Sequence, residues 1–373
     1  MKQTQAFLST YTADVSGVCS ALFELGGMTV MHDASGCNST YNTHDEPRWY
    51  DMDSLVFISG LSELEAVMGD DEKLISDVSD AARQLHPRFI ALAGTPIPMI
   101  TGCDLPAIAR EVEGRTKIPS FAVPSNGIGT YVAGAGQALR LYAERFITSR
   151  PEKRKNAVNI LGATPLDFSV NGCVQSMARR LEEAGFTLQS VFAMSSSIDA
   201  IDKAGAAEAN LVVSSVGLPA AKYLQAQFGT PYVIGAPFGD FFSPYVFDAL
   251  RESIRTGAPA DVLDTFAPDA PDTVIVGESV TAKSLAAALA VEYGIRARVI
   301  CPVEAPGGVL GACDLRLEDE EEIEQALRGA KRVIADPLYR RIVPAKSEFY
   351  PLPHEAFSGR IYRKQIPNLA ERV

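Results

Sequence analysis

Short apolar segments alternate with amphipathic segments along almost the whole chain. Residues 28–32, 89–93, 157–161, 273–276 and 332–335 are apolar runs with the length of buried strands, and helical periodicity lies between them. Parallel strands need a crossover connection, which is usually a helix. The alternation therefore predicts an α/β fold of Rossmann-like units, with mainly parallel sheets flanked by helices.

Two polar segments divide this series. Residues 148–155 are charged and contain a proline, and residues 266–272 are rich in Pro and Asp. Linkers of this composition are typical of domain boundaries. We therefore expect an N-terminal domain over 1–150, a second Rossmann-like domain over 151–265, and a third over 266–373 with a C-terminal tail. The second domain lacks the GxGxxG fingerprint at its first turn, and the sequence has no GxxxxGK[ST] loop.

Composition narrows the class of partner. The formal net charge of −12 argues against nucleic acid or an anionic membrane surface. No apolar run reaches the roughly 20 residues of a membrane span, and no signal peptide is recognised at the start, so we expect a cytoplasmic protein. Six widely spaced cysteines in 373 residues are not a disulfide framework, and metal binding is the alternative that this spacing favours.

Three of the cysteines share a context. Cys19, Cys37 and Cys103 each follow a glycine within two residues and lie at or near a predicted loop-to-helix junction. A thiolate there gains from the helix dipole and from free backbone N–H groups, and iron–sulfur clusters are held by such thiolates. A free cysteine is also often a small buried hydrophobic residue. None of the three lies inside an apolar run, which favours a shared role.

The segments SGVCSALFELGGMTVMHDASGCNSTY and TPIPMITGCDLPAIARE carry these cysteines and resemble the component 1 proteins of the nitrogenase family. That family includes nitrogenase, dark-operative protochlorophyllide reductase and nickel-sirohydrochlorin cyclase. The resemblance implies three domains around a central cleft. It also implies that Cys19, Cys37 and Cys103 bind an iron–sulfur cluster, 4Fe-4S or larger, shared at a subunit interface.

The sequence differs from that of nitrogenase at the residues that bind the catalytic metallocluster in that enzyme. There, a cysteine after a strand of the second domain and a histidine before a Ser-Gly pair bind the catalytic metallocluster. Here Ser214 and Ser215 follow the similar strand, and His354 resembles the histidine. A hydroxyl is a much poorer iron ligand than a thiolate. We therefore expect that this chain carries no nitrogenase-type cofactor and that its substrate is not dinitrogen. The candidate residues of the substrate cleft are Cys173, Ser214, Ser215 and His354.

The remaining candidates have weaker patterns. We interpret His32 as a structural histidine, His86 as a helix end, and Cys301 and Cys313 as packing or loop residues. His44 could face the cluster or a partner. Gly127 and Gly134, in a glycine-rich stretch, allow close approach of a ligand or chain, or simply form a turn.

The resemblance implies a nitrogenase-like oxidoreductase subunit. Three thiolates do not complete a four-cysteine cluster, so a homodimer or a paired homologous subunit is expected. The other partners would be an ATP-dependent iron–sulfur reductase and a small-molecule substrate. Two alternatives remain open: a scaffold that assembles or carries a metallocluster, and a non-redox ligand-binding module with structural cysteines.

Overall fold

The computed structural model describes residues 6–9, 11–34, 46–266 and 271–373. The chain forms two compact units. The N-terminal unit comprises residues 12–142, and the C-terminal unit comprises residues 143–373 together with the segment before Thr12. Among the described residues, no helix has both the length and the apolarity needed to cross a membrane.

The N-terminal unit is built on one parallel sheet. The elements in chain order are α1 (Asp14–Leu22), β1 (Met28–His32), β2 (Leu55–Ile58), α2 (Glu63–Met68), α3 (Asp71–Leu85), β3 (Ile90–Gly94), α4 (Pro96–Thr101), α5 (Leu105–Thr116), β4 (Ser120–Val123) and α6 (Tyr131–Phe146). The four strands of the sheet are in the order β2-β1-β3-β4, and every strand pairs in parallel with its neighbours.

The core of this unit follows from helical spacing. Leu74, Ile75, Val78 and Ala82 recur on one face of α3, and the corresponding face of α5 carries four apolar residues. Both faces pack against strand residues such as Met28, Val30, Ile90 and Leu92. Burial of these faces fixes α3 and α5 against the sheet.

Two glycines allow α1 and α6 to touch at the backbone. A Cβ on Gly134 would lie 1.9 Å from the carbonyl oxygen of Asp14, and one on Gly17 would lie 2.3 Å from that of Tyr131. The close approach that glycine permits at Gly134 is therefore to the chain's own helix α1. Gly127 has φ +75° and packs against Pro96, so it forms a turn.

We predict that Gly134→Ala destabilises the protein by about 1–3 kcal/mol or more, because the added methyl group has no space beside the α1 backbone. Urea unfolding would measure the change. The control is Gly114→Ala in α5, where a Cβ meets nothing within 4 Å. That substitution should stabilise the helix by about 0.5–1 kcal/mol. Equal stability of the two variants would contradict the packing described.

The C-terminal unit contains two parallel five-stranded sheets with their connecting helices. The first sheet and its helices comprise β5 (Ala157–Leu161), α7 (Pro165–Phe168), α8 (Cys173–Glu183), β6 (Thr187–Val191), α9 (Ile198–Asp202), β7 (Ala209–Val212), α10 (Leu218–Phe228), β8 (Tyr232–Ile234), α11 (Gly239–Thr256) and β9 (Ala260–Asp261). The second sheet and its helices comprise β10 (Thr273–Val276), α12 (Ser279–Tyr293), β11 (Ala297–Cys301), β12 (Leu315–Arg316), α13 (Glu320–Leu327), β13 (Arg332–Ala335), β14 (Glu348–Pro351) and α14 (Glu355–Ser358). The strand orders are β6-β5-β7-β8-β9 and β12-β11-β10-β13-β14.

This architecture confirms the α/β fold with parallel sheets that the sequence predicts. In each sheet the strand order reverses next to its first strand: between β1 and β3, between β5 and β7, and between β10 and β13. Ligands of open α/β sheets bind beyond the carboxyl ends of the strands at such points. The division into domains 1–150, 151–265 and 266–373 stays a prediction.

Candidate functional site

Cys103 lies at the carboxyl edge of the sheet of the N-terminal unit. Strand β3 leads into α4, Gly102 ends α4 with φ +76°, and Asp104 caps α5 by accepting the N–H of Ala107 at 3.0 Å. Cys103 thus sits between two helices, at the loop-to-helix junction that the sequence predicts. It lines an open pocket of about 310 Å³ with residues at and beyond the carboxyl ends of β3 and β4.

The Cys103 thiol faces a carboxylate. Its Sγ lies 3.7 Å from Oδ1 of Asp71, the first residue of α3. Burial and the charge of Asp71 raise the pKa of Cys103 to about 12, with a smaller contribution from Asp104. In the absence of metal the thiol is therefore protonated at neutral pH, and an iron ion would have to displace the proton to bind the thiolate.

The structure corrects the predicted position of Cys19. It lies inside α1 rather than ahead of a helix, and it is fully buried. Burial and the nearby Glu46 raise the pKa of its thiol. The sequence-based expectation that the helix N-terminus stabilises this thiolate is wrong, because the helix begins five residues earlier, at Asp14.

A buried ionic cluster holds Glu46 near Cys19. Arg48 binds both carboxylate oxygens of Glu46, at 2.6 and 3.1 Å, and also donates to Glu24 at 2.8 Å and to the carbonyl oxygen of Ser20 at 2.7 Å. Bidentate pairing of this kind satisfies charges that would be costly to bury alone. It anchors the chain at residues 46–48 against the end of α1.

Cys37 and His44 lie outside the described residues. Within the described part of the chain, no group of three or more His, Cys, Asp or Glu side chains could hold a metal ion. His32 ends β1 with Nδ1 2.9 Å from Oγ of Ser59, as fits a structural histidine, and His86 ends α3. Cys19 and Cys103 belong to the same unit, and cysteine thiolates are the usual ligands of iron–sulfur clusters. Two cysteines alone do not form a complete ligand set.

In the C-terminal unit, Asp167 joins two of the cleft candidates. Its side chain is fully buried. Ser214 Oγ donates to Oδ2 of Asp167 at 2.7 Å, and His354 Nε2 lies 3.5 Å from Oδ1. The carboxylate lies between hydroxyl and imidazole, so the arrangement differs from a hydrolase triad, in which the imidazole contacts the serine.

The local sequence explains how Asp167 and Ser214 come together. Thr164 and Pro165 begin the short helix α7 directly after β5, which places Asp167 near the carboxyl end of that strand. Ser214 follows β7, the neighbour of β5. The two loops cross closely, since a Cβ on Gly162 would lie 2.7 Å from the carbonyl oxygen of Ser214.

The His354 loop is held by Asp336 at the end of β13. The Asp336 carboxylate accepts the N–H of His354 at 2.8 Å and the hydroxyl of Ser358 at 2.6 Å. His354 Nδ1 accepts the N–H of Ala356 at 3.3 Å, and its ring stacks on Phe357. The imidazole is thus oriented with Nε2 toward Asp167.

Cys173 and His354 line the same small cavity with Asp167. Cys173 is the first residue of α8 and is buried. Burial raises the pKa of its thiol to about 11, although the N–H groups of Ala370 and Leu369 oppose the shift. Pro367 and Leu369 also line the cavity, so the C-terminal segment closes it.

The cavity is too small for a large cofactor. Its volume is about 50 Å³ and its walls are mostly apolar, which leaves space for one or two water molecules. With Ser214 donating to Asp167, the residues present do not fit a nitrogenase-type catalytic metallocluster.

Ser215, the fourth candidate, has a different neighbour. Its N–H donates to Oε1 of Glu278 at 3.2 Å. Glu278 is buried and caps α12 by accepting the N–H groups of Val280 and Thr281. Ser215 therefore takes part in a structural junction and does not line the cavity with Cys173 and His354.

Sequence reasoning missed Asp71, Asp167 and Glu278. Each acidic side chain comes shortly after a strand or at a helix start, and Asp167 follows a Thr-Pro pair directly after an apolar run. Polar residues at carboxyl ends of parallel strands are the usual signal of a site. That signal was present for Asp167 and Glu278, whereas nothing local connects Asp71 with Cys103.

Comparison with known proteins decides the family. The model of the nitrogenase component 1 type oxidoreductases matches residues 16–262, more than half of the chain. The chain belongs to this family. The match includes Cys19, Cys37 and Cys103, together with Cys173, Ser214 and Ser215, and it confirms the resemblance carried by the cysteine segments.

Relatives within the nitrogenase component 1 type family have several functions. The chain is 29% identical over 196 residues to the nitrogenase iron-molybdenum cofactor biosynthesis protein NifE of Methanosarcina barkeri, covering 49% of this chain and 42% of that protein. It is 25% identical over 181 residues to a subunit of the light-independent protochlorophyllide reductase of Nostoc punctiforme, covering 46% and 36%. It is 24% identical over 183 residues to the nitrogenase molybdenum-iron protein alpha chain of Clostridium pasteurianum, covering 48% and 33%. The matches thus span less than half of these relatives' lengths.

Solved structures support the fold. The structure of nitrogenase Cp1 at pH 6.5 superposes with a TM-score of 0.64 at 14% identity, covering 95% of this chain and 86% of that chain. The structure of nitrogenase Cp1 at pH 5 gives a TM-score of 0.61 at 17% identity, covering 87% and 72%. At this identity the likeness establishes a shared fold.

We predict that Asp71→Asn accelerates alkylation of Cys103 in metal-free protein at pH 8. The substitution removes the negative charge that raises the pKa of the thiol, so more thiolate forms. Iodoacetamide labelling followed by peptide mass spectrometry reads out Cys103 alone. The matched control is Asp104→Asn, whose effect should be smaller because Asp104 contributes less to the shift. Equal rates in wild type and Asp71→Asn would contradict the pairing.

We predict that Asp167→Ala lowers the free energy of unfolding by about 1–3 kcal/mol, because it leaves the buried Ser214 hydroxyl without its acceptor. Urea unfolding monitored by circular dichroism would measure the loss. Asp199→Ala, which removes an exposed carboxylate in the same unit, should change stability by less than about 0.5 kcal/mol. Similar stabilities for the two variants would argue against the Asp167 junction.

Proposed function

We propose that this chain is a component 1 subunit of a nitrogenase-like two-component reductase. The observation that carries the proposal is the family match over residues 16–262, which spans Cys19 and Cys103 in the N-terminal unit and Cys37 between them. The position of Cys103 in an open pocket at the carboxyl edge of the sheet supports it, because ligands of such sheets bind there.

The proposed cofactor is an iron–sulfur cluster, 4Fe-4S or larger, with Cys19, Cys37 and Cys103 as its ligands from this chain. When bound, it would accept and release single electrons. The protein would supply thiolates and exclude water around them. Since three thiolates do not fill four positions, we propose that a second copy or a homologous subunit completes the site. The names of two relatives, a nitrogenase alpha chain and a protochlorophyllide reductase subunit, describe parts of larger assemblies.

The proposed electron donor is an ATP-dependent iron–sulfur reductase, and the proposed acceptor is a small molecule other than dinitrogen. The exclusion of dinitrogen rests on the C-terminal unit. There Ser214 donates to Asp167, and the cavity beside His354 and Cys173 has a volume of about 50 Å³, which is too small for a nitrogenase-type cofactor. The same volume is too small for an organic substrate, so the acceptor would bind outside this cavity.

A scaffold that assembles or carries a metallocluster is the second candidate. The relatives that favour it include cofactor biosynthesis proteins named NifE from Methanosarcina barkeri and Klebsiella pneumoniae. The small cavity of the C-terminal unit is compatible with this function, because a carrier needs ligands at an accessible edge and no closed substrate site. A scaffold would release iron to an acceptor protein, whereas a reductase subunit would retain it through turnover.

We predict that anaerobically purified protein contains stoichiometric iron and acid-labile sulfide, and that Cys37→Ala or Cys103→Ala loses most of both. Each substitution removes a proposed thiolate ligand. Cys313→Ala, which removes a half-buried loop cysteine of the C-terminal unit, is the matched control and should retain the iron. Iron analysis and an EPR spectrum of the reduced protein provide the measurement.

The three functions give different results in this experiment. If wild type contains no iron after reconstitution, the cysteines are structural and the non-redox binding module remains. If iron is present and moves to an apo-acceptor protein during incubation, the scaffold is supported. If iron is retained and the EPR signal appears only with the reductase and ATP, the reductase subunit is supported.

A further inference from the structure

Residues 366–371 form one wall of the cavity beside His354, and we call this segment the strap. Three of its side chains line the cavity: Ile366, Pro367 and Leu369. The N–H groups of Leu369 and Ala370 donate to the sulfur of Cys173, which is only 3% exposed. The strap therefore covers the thiol directly.

The strap has little regular backbone structure. No helix or strand includes residues 366–371, all of which the structure describes. Among the described residues, one backbone–backbone hydrogen bond joins the strap to the surrounding elements, from the N–H of Gly239 to the carbonyl oxygen of Leu369 at 3.1 Å. Other walls of the cavity belong to β10 and α12, whose backbones are bonded throughout. Segments with few backbone hydrogen bonds open at the lowest cost.

Burial gives the same ranking of the cavity walls. Within the strap only Ala370 is fully buried, whereas Pro367 and Glu371 are exposed and the other residues are half-buried. Ile275 and Phe238, which line the cavity from other elements, are 0% and 1% exposed. Few apolar contacts are therefore lost when the strap leaves.

Asn171 is the specific polar anchor of the strap. Its Nδ2 donates to the carbonyl oxygens of Ile366 and Pro367, at 3.1 and 3.0 Å. Its Oδ1 accepts the N–H of Cys173 at 3.1 Å and so supports the start of α8. The two ends of one amide thus serve different elements, which allows them to be separated by substitution.

The other polar contacts of the strap are weaker. Asn368 donates to Ser176, and Glu371 accepts the hydroxyl of Ser176 and pairs with Arg179 at 3.1 Å. Both side chains of this ion pair are more than half exposed. Exposed ion pairs contribute little to stability. The strap is therefore held by a few side-chain contacts at the surface of the unit.

Three chemically reactive groups lie beneath the strap. A carboxylate, an imidazole and a thiol line the cavity, from Asp167, His354 and Cys173. In the closed form its volume of about 50 Å³ has space for one or two water molecules. Any larger solute reaches these groups only if one wall moves.

We propose that the strap is a gate, which leaves the cavity by local unfolding while both sheets of the C-terminal unit stay folded, and thereby admits small solutes to Cys173, Asp167 and His354. The inference goes beyond the proposed function and does not depend on the iron–sulfur cluster. It makes the closed cavity one of two forms, and the strap is the element that moves between them.

Native-state alkylation tests the gate in the purified full chain, kept reduced. The probe is iodoacetamide, and peptide mass spectrometry reads Cys173 and Cys301 separately. Cys301 is the matched reference, since it is buried in β11 of the same unit. Each rate is divided by the rate of the same cysteine in the unfolded protein. Cys173 should react at least about tenfold faster than Cys301, and its rate should depend less on urea, because a local opening exposes less surface.

Two variants separate the strap from the rest of the unit. Asn171→Asp keeps the acceptor for Cys173 and replaces the donor to the strap by an oxygen, so Cys173 should react at least about tenfold faster. Its control is Asn156→Asp at the opposite end of β5, which should change this rate by less than about twofold. Leu327→Ala leaves a void in α13, where Leu327 is fully buried. It should accelerate Cys301 at least about tenfold and leave Cys173 unchanged.

Two results would overturn the gate. If Cys173 and Cys301 react at equal rates with equal urea dependence, and Leu327→Ala accelerates both, then the cavity opens only when the unit unfolds. This comparison needs no variant of the strap. If Cys173 reacts faster than Cys301 but Asn171→Asp leaves its rate unchanged, solutes enter through another wall and the strap is not the gate.

Discussion

In the C-terminal unit, hydrogen bonds to the buried carboxylate of Glu278 join segments that follow strands of its two sheets. The carboxylate accepts the N–H groups of Val280 and Thr281 at the start of α12 and the N–H of Ser215 after β7. A buried carboxylate is tolerated only when donors surround it. Here one donor lies in the loop after β7 and the others lie at the start of the helix after β10, so the donors follow strands of two different sheets. Hydrogen bonding to this one carboxylate therefore holds the loop against the helix. The same loop carries Ser214, whose hydroxyl donates to Asp167.

The same solution recurs at other strand ends and loops. Asp336 accepts N–H and hydroxyl donors from the His354 loop, and Asp14 accepts the N–H groups of Asn126 and Gly127. Glu320 accepts the N–H groups of Ala6, Phe7 and Leu8. Free N–H groups of this kind bind phosphate in many α/β proteins. At these positions the protein's own carboxylates occupy them, which agrees with a sequence that lacks the phosphate-binding glycine motifs.

The sequence predicts those structural features that depend on residues close together in the chain. Buried parallel strands are continuous apolar runs, so β1, β3, β5 and β10 are recognisable. The junction at Cys103 is recognisable because Gly102 and Asp104 are standard residues for ending one helix and capping the next. The start of α1 is not, because Ala13 makes no side-chain capping bond. The sequence pattern therefore places Cys19 ahead of a helix that already contains it. The Asp167 junction joins residues 47 and 187 positions apart, which no local pattern can connect.

Helix α2 shows a different limit. Periodicity identifies an apolar face at Leu64, Val67 and Met68 but does not say whether that face turns toward the core or toward solvent. Capping decides whether such a helix can exist without a core. The box formed by Ser62 and Glu65, and the left-handed Gly69, make α2 stable enough to remain a helix while none of its residues is buried. The two units therefore differ in what they leave open. The N-terminal unit exposes an apolar edge beside Cys103, whereas the C-terminal unit closes the cavity beside His354 with its own side chains.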